Sequence, residues 1–376
     1  MNVVDRIERL ASVCRFFPEL GVSGPEDLRA LLASALGRLD ALDGFVPHGS
    51  GWSRAVAPRR IYHVLAGTVP VSGWRTLLEG LLLGSENLLQ CPEEQREAMV
   101  RFRAALPPLL RKRSRILPAY SEDALASADA VVVFGRDETV RLFQSRCRKG
   151  QIFVGYGHRA SLLWLGKLLR ATAALAAAIV RDLTRYDQLG CLSPQCLVLE
   201  PKAAMMPLAR LLTQTISREA RAYPVRRRAA DAARIREARA VACALGWPVW
   251  DDGDELQWTV VIRDVPQFQP TCGHRVLYLD AVPRERLDHW LSPLEGHLSA
   301  VGVGGPLPPS VRKLFCRLGA TRFCPAGTMQ TPPPLWHHDG RPPLIDLIRW
   351  IDWEGSGPPE NAQKRELDDE ERRSAP

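Results

Sequence analysis

The stretch "ADAVVVFGRDETVRLFQSRC" (128–147) decides how the chain folds. Val131 to Phe134 contain no polar residue, which suits a strand covered on both faces. Gly135 ends the run. Asp137 and Glu138 then open a helix, where negative charge complements the helix dipole. "GQIFVGYG" (150–157) follows as the next strand. The same order stands upstream: a strand in "RRIYHVLAG" (59–67), a helix through "GWRTLLEGLLLG", a strand in "ENLLQC" (86–91) and a helix in "EEQREAMVRFRAALPPLL" (93–110). Strand, glycine turn and helix in repetition is the pattern of a doubly wound parallel sheet. Each helix start in such a fold is an anion site, because free N–H groups point there. No GxGxxG follows any strand, so a dinucleotide would have to bind by another geometry.

The bulk numbers bound the class. With 376 residues, 46% hydrophobic and 24% charged, the chain can build two cores. The N-terminus is charged and lacks a signal-peptide pattern. The most apolar run, "ATAALAAAIV" (171–180), is too short to span a bilayer and is flanked by Arg170 and Arg181. A cytoplasmic protein without a membrane span is expected. Nine cysteines without a CxxC pair argue against a zinc site or a thioredoxin motif and for reduced thiols. A net charge of +8 suggests anionic partners only in a general way. No nucleic-acid module accompanies it, so no nucleic-acid partner is expected. The densest basic stretch, "YPVRRRAADAARIREARA" (223–240), reads as a solvated helix face, with phosphate contact as the minor alternative.

Outside the strand-helix blocks, residues 1–40 read as two amphipathic helices, the second capped by Ser23. From 158 a long helix, 161–184, leads to Cys191, and "QCLVLE" (195–200) is a strand. Helices over 203–221 and 226–245 follow, then strands "WTVVIRDV" and "HRVLYLD" and helices over 284–298 and 308–318. The strand "TRFCPAG" comes next, and "LWHHDGRPPLIDLIRW" (335–350) loops into a final helix. The charged tail, 355–376, has Leu367 as its one large apolar residue and is expected to be disordered.

"YDQLGCLSPQ" (186–195) places a thiol directly after a glycine at the end of a helix. Such a position can lower a thiol pKa and leave the sulfur approachable, as a nucleophile needs. Spacing alone equally allows a core cysteine between helix and strand. Cys196, inside a strand pattern, reads as core. "WHHDGRP" brings His337, His338, Asp339 and Arg341 into one loop, but no third ligand stands at metal-binding spacing. The loop reads as structural or as lining a cleft.

Four blocks in order, "VVVFGRDETVRLF", "IFVGYGHRAS", "YDQLGCLSPQ" and "WHHDGRPPLIDLIRW", with "HVLAGTVP" ahead of them, resemble the LuxC-type long-chain acyl-CoA and acyl-protein thioester reductases, a branch of the aldehyde dehydrogenase superfamily. The resemblance runs from about residue 60 to 354, and "DQLGCLSPQ" is its most specific part. It implies an α/β, aldehyde-dehydrogenase-like fold: two doubly wound parallel-sheet domains with the active site in the cleft between them. Residues 1–157, with a helical part over 1–55, would bind the nicotinamide. Residues 158–334 would carry the thiol, and 335–354 would line the cleft.

The implied activity is reduction of a fatty acyl thioester to the aldehyde through an acyl-cysteine on Cys191. His158 would donate a proton to the developing alkoxide or orient the thiol, and Thr68 stands where the family has the Asn that donates to the oxyanion. Gly135, Gly155, Gly157 and Gln90 would hold the cofactor, the last where relatives often have Lys. NADPH is the expected cofactor, with NADH left open because Gln90 brings no charge to a 2′-phosphate. Implied partners are a fatty acyl-CoA or acyl-protein substrate, an acyl-transferring protein, and further copies of the chain in a homo-oligomer. Thr68 and Gln90 also leave room for a second reading, a weak or inactive subunit kept as a binding partner in a multi-enzyme complex.

Overall fold

The computed structural model describes residues 1–67, 69–166, 170–200 and 204–355. Thr68 and the 356–376 part of the tail lie outside the described residues. The chain forms two compact units. One holds residues 1–66, 70–157 and 333 onward; the other holds 67–69 and 158–332.

In the first unit, β1 (Val46–His48) and β2 (Gly51–Val56) form a hairpin. Then come β3 (Arg60–Val64), β4 (Glu86–Gln90), β5 (Ser114–Ile116), β6 (Ala130–Phe134) and β7 (Ile152–Tyr156). These five pair in the order β5-β4-β3-β6-β7, every pair parallel. The order reverses between β3 and β6, the place where open α/β sheets bind ligands at their carboxyl ends. Strand β6 shows why the fold is doubly wound. Val131 and Val133 join Tyr62, Leu88 and Phe143 in one core, while Ala130 and Val132 join Leu77, Leu81 and Phe102 in another. Each buried valine contributes roughly 1.5–3 kcal/mol, and neither face can be left to water.

The second unit contains β8 (Ala160–Trp164), β9 (Pro194–Leu199), β10 (Val249–Asp251), β11 (Thr259–Arg263), β12 (Val276–Ala281), β13 (Leu298–Val303) and β14 (Arg322–Pro325). Their order is β10-β11-β12-β9-β8-β13-β14, parallel except for the antiparallel edge strand β10. Helices Ala173–Thr184, Met205–Ala222, Ala229–Ala244, Arg284–Leu291 and Pro309–Arg317 connect them.

Four sequence expectations are corrected. The helix expected over 161–184 is strand β8 followed by a helix only from Ala173. "ASLLW" is apolar except for Ser161 and sits wholly in the core, where a short run shows no period. The helix expected over 284–298 stops at Leu291, and Leu298 already begins β13. The expected final helix is instead β15 (Arg349–Trp353), which pairs antiparallel with β2 in a sheet of order β1-β2-β15. Ser23 is not the cap of helix Pro25–Leu36; that position is Gly24, while the Ser23 amide and hydroxyl both donate to Asp27 Oδ2.

Within the first sheet His63 is wholly buried in β3, its ring nitrogens 2.8 Å from Thr76 Oγ1 and 2.9 Å from Asn87 Oδ1. Burial pushes its pKa down to about 4, despite the Asn87 bond that favours the charged form. The folded chain therefore holds a neutral ring that the unfolded chain protonates near pH 6.5. This contribution to stability is complete above that value and is lost as pH falls toward 4. We expect wild type to lose about 2 kcal/mol more than His63→Gln between about pH 7.5 and about pH 5. Urea unfolding of both chains reads this difference. Asp182 and Asp280, whose carboxyls burial raises to about 6, titrate in both chains and cancel. Equal pH slopes would rule out a neutral buried His63.

Candidate active site

The turn that carries Cys191 begins where helix Ala173–Thr184 ends. Tyr186, Asp187 and Gln188 all take left-handed backbone, with φ of 54°, 53° and 61°. For residues with a Cβ this costs roughly 1–2 kcal/mol each, so something must hold them there. Leu189 and Gly190 follow, and the Ser193 amide donates to the Gly190 carbonyl at 2.9 Å, closing a turn around Cys191 and Leu192. The Gly190 amide donates to Ser193 Oγ at 3.2 Å. The Cys191 carbonyl accepts from the buried Ser161 hydroxyl at 2.7 Å, and that oxygen in turn accepts from the Ala300 amide. Gln188, itself buried, donates to the carbonyls of Pro194 and Val276 at 2.8 and 3.1 Å.

The Asp187 carboxylate holds the left-handed run. Arg227 Nη1 and His274 Nδ1 both meet its Oδ2, the latter at 2.9 Å, and Arg275 Nε lies 3.2 Å from its Oδ1. His274 Nε2 reaches Asp231 Oδ1 at 3.3 Å, and the His274 amide donates to the Asp187 carbonyl. Gly273, His274 and Arg275 form a second left-handed run, so two strained turns are locked together by one acid. Burial alone would raise the Asp187 pKa. The hydrogen bonds from His274 and Arg227, and the charges of Arg227 and Arg275, outweigh it and hold the carboxyl below its ordinary value. The basic stretch expected to be a solvated face is therefore divided. Arg226, Arg228, Arg234 and Arg236 are exposed, while Arg227 is buried on Asp187 and Arg239 pairs with Asp251 and Asp252.

Cys191 is exposed and Cys196 is buried. Burial pushes the Cys196 thiol well above its ordinary value. The core assignment of Cys196 holds. His158 is also exposed, and its carbonyl lies 3.3 Å from His297 Nδ1. Ser161 of β8 pairs with Pro194 of β9, so His158 and Cys191 each stand three residues ahead of paired positions, at the amino end of neighbouring parallel strands. Leu162, Leu163 and Trp164 are closed into the core on both faces of β8. They leave no surface for a ligand.

The residues singled out for the cofactor gather at the carboxyl end of the first unit's sheet. Gln90 ends β4, and its Oε1 accepts the Tyr62 hydroxyl. Gly135 follows β6, and its amide donates to the Tyr156 carbonyl at 3.1 Å. Gly155 and Gly157 lie at the end of β7, but the space their missing side chains leave is taken from within. A Cβ on Gly155 would come within 2.5 Å of Val140 Cγ1, and one on Gly157 within 2.3 Å of Asp137 Oδ1. Their glycine character is thus explained by helix Asp137–Arg146 packing against β7. The switch in strand order and the amide side of Gln90 suit a dinucleotide.

Beside them His338 stacks on Tyr156 with centroids 4.4 Å apart, between Trp336 and the Tyr156–Phe134 pair. Asp339 and Gly340 make the positive-φ turn that returns the chain to Arg341, whose guanidinium lies over Tyr156. His338 is thus part of an aromatic stack, and no three-residue metal cluster occurs among the described residues. The Asp187 network was not legible in advance, because its members lie 40 to 88 residues apart in the chain. Removing the acid would leave three buried cationic or hydrogen-bonding groups uncompensated, a loss of about 3–5 kcal/mol. We expect Asp187→Ala to show that loss in chemical unfolding, against less than about 1 kcal/mol for Asp288→Ala, whose partner Arg317 is half exposed. Similar values for the two would show that the network does not hold the turn.

Comparison with known proteins agrees with this fold. The family described as Acyl-CoA reductase (LuxC) matches residues 20–350. Long-chain acyl-protein thioester reductase 2 of Photobacterium leiognathi is 25% identical over 166 residues, 41% of this chain and 34% of that one. The long-chain acyl-protein thioester reductase of Aliivibrio fischeri is 26% identical over 172 residues, 43% and 36% of the two chains. The matched stretches therefore span about a third of those curated relatives. Among solved structures, an NAD-dependent aldehyde dehydrogenase from Sinorhizobium meliloti superposes with a TM-score of 0.66 at 13% identity, covering 96% of this chain and 84% of that one. A Mycobacterium tuberculosis aldehyde dehydrogenase complexed with NAD+ gives 0.64 at 14%, covering 94% and 85%. No helix among the described residues is long and apolar enough to cross a membrane. The fold is that of the aldehyde dehydrogenases, and the chain belongs to the LuxC family of acyl-CoA reductases.

Proposed function

We propose that this chain reduces a fatty acyl thioester, carried by CoA or by a protein, to the aldehyde through an acyl-cysteine on Cys191. The observation that carries this reading is an exposed thiol on a turn that buried groups hold from several sides, at the same sheet edge as His158. Cys191 and His158 belong to the second unit, and Gln90, Gly135, Gly155 and Gly157 to the first. A reduced nicotinamide would supply the hydride, with NADPH as the first candidate and NADH as the second. Gln90 would meet the adenosine ribose through its amide nitrogen, since Tyr62 holds its oxygen. Gly135 would let the pyrophosphate come close to helix Asp137–Arg146, and Gly155 and Gly157 would stand beside the nicotinamide.

The steps this chain performs follow from its residues. The Cys191 thiolate adds to the thioester carbonyl, and the carrier's thiolate leaves with the proton the reaction consumes. A backbone N–H of the Cys191 turn other than those of Gly190 and Ser193, together with the Thr68 hydroxyl, would meet the oxyanion as it forms. After reduction of the acyl carbon, His158 gives the alkoxide a proton and takes it back as the carbonyl reforms. The C–S bond breaks in the same step, expelling the sulfur as thiolate, and the aldehyde leaves. The reading places the protein in the cytoplasm, with an acyl-transferring protein and a second copy of the chain as partners to test.

Incubation with a long-chain acyl-CoA should add one acyl group to the intact mass, and Cys191→Ala should abolish it. Thr68→Ala should keep the adduct but slow its formation by about 10²-fold, the cost of one oxyanion donor. An adduct that persists in Cys191→Ala would overturn the nucleophile. An adduct that forms normally but is discharged by neither nicotinamide would favour the binding-subunit reading.

A further inference from the structure

Ser193 sits two residues after the thiol, and its hydroxyl does two things. It caps the Gly190 amide at 3.2 Å and accepts a hydrogen bond from Gln330 Nε2, also at 3.2 Å. Gln330 comes from the loop after β14 and is buried, as is Ser193. Its position is set with unusual care. The carboxylate of Asp182, buried in helix Ala173–Thr184, accepts the Gly327 amide at 2.5 Å and the Met329 amide at 2.9 Å. Arg322, buried in β14, takes the other polarity of the same loop, donating to the Met329 and Thr328 carbonyls at 2.6 and 2.8 Å. A carboxylate thus holds the loop's N–H groups and a guanidinium its C=O groups. The residue delivered by this clamp is Gln330.

We propose that Gln330 is a positioning residue for the Cys191 thiol, acting through Ser193, and that the Asp182–Arg322 clamp exists to present it. The role rests on Cys191 being the nucleophile. Gln330 touches no reacting atom. It fixes the Ser193 hydroxyl, which fixes Gly190, so that the turn presents the sulfur in one outward arrangement rather than several. The fraction of chains with a competent thiol sets the apparent rate, so loss of one such bond should lower it about threefold to tenfold.

The test uses the full chain with iodoacetamide, following each cysteine by peptide mass. Cys243 and Cys316 are also exposed and serve as references inside the same sample. Gln330→Met keeps the volume and removes the hydrogen bond; Ser193→Ala removes the relay with a smaller change. Each should slow Cys191 alkylation about threefold to tenfold while the reference cysteines change less than about twofold. The double variant should be no slower than the worse single one, because both act on one path. With acyl-CoA as substrate, kcat should fall by the same factor with KM nearly unchanged. Equal changes at all three cysteines, or effects that multiply in the double variant, would overturn the proposal. If wild type alkylates as expected but takes up no acyl group, the acyl-transfer reading fails instead.

Discussion

The Asp187 carboxylate is the constraint on which the candidate site depends. Three residues of left-handed backbone lead into the Cys191 turn, and three more lead into β12. Neither run would persist alone at roughly 1–2 kcal/mol per residue. One acid, held below its ordinary pKa by Arg227, His274 and Arg275, ties them to each other and to the segment ahead of helix Ala229–Ala244. Strain of this kind survives where the surroundings over-determine it, and such places are commonly functional. Here its consequence is specific: Cys191 is turned out to solvent, while Cys196, five residues on, disappears into the core.

The turn is anchored from several sides. Ser161 of β8 holds the Cys191 carbonyl, Gln188 holds the start of β9 to that of β12, and Ser193 ties the Gly190 amide to Gln330. These contacts are made by neutral hydrogen bonds worth about 1 kcal/mol each, and by one ionic cluster worth more. Their sum keeps the proposed nucleophile in place before any substrate arrives, which is how preorganised sites gain rate.

How much of this was legible in the sequence differs by element. Strands β3, β4, β6, β7, β9, β11, β12 and β14 were legible because β-branched or apolar runs end at glycine, proline or charge. Strand β8 was not, since "ASLLW" runs on into leucines and alanines that favour helix, and only burial on both faces distinguishes it. Strand β15 was missed because its partner β2 lies some 300 residues earlier, a pairing that no local pattern encodes. In the candidate site, Cys191 and His158 were visible through their motifs. Asp187 lies within the motif, but its partners Arg227 and His274 read as part of a solvated stripe and as a strand start. Gly155 and Gly157 read as cofactor glycines, yet the immediate reason for glycine there is the packing of Val140 and Asp137.

The central claim is that hydride reaches an acyl carbon bound to Cys191. A single turnover with a fatty acyl-CoA and nicotinamide deuterated at the transferring position tests it most directly. The account predicts fatty aldehyde carrying one deuterium at its carbonyl carbon, formed in proportion to intact Cys191 and absent from Cys191→Ala. Release of unlabelled fatty acid, with no deuterated aldehyde from either nicotinamide, would contradict it.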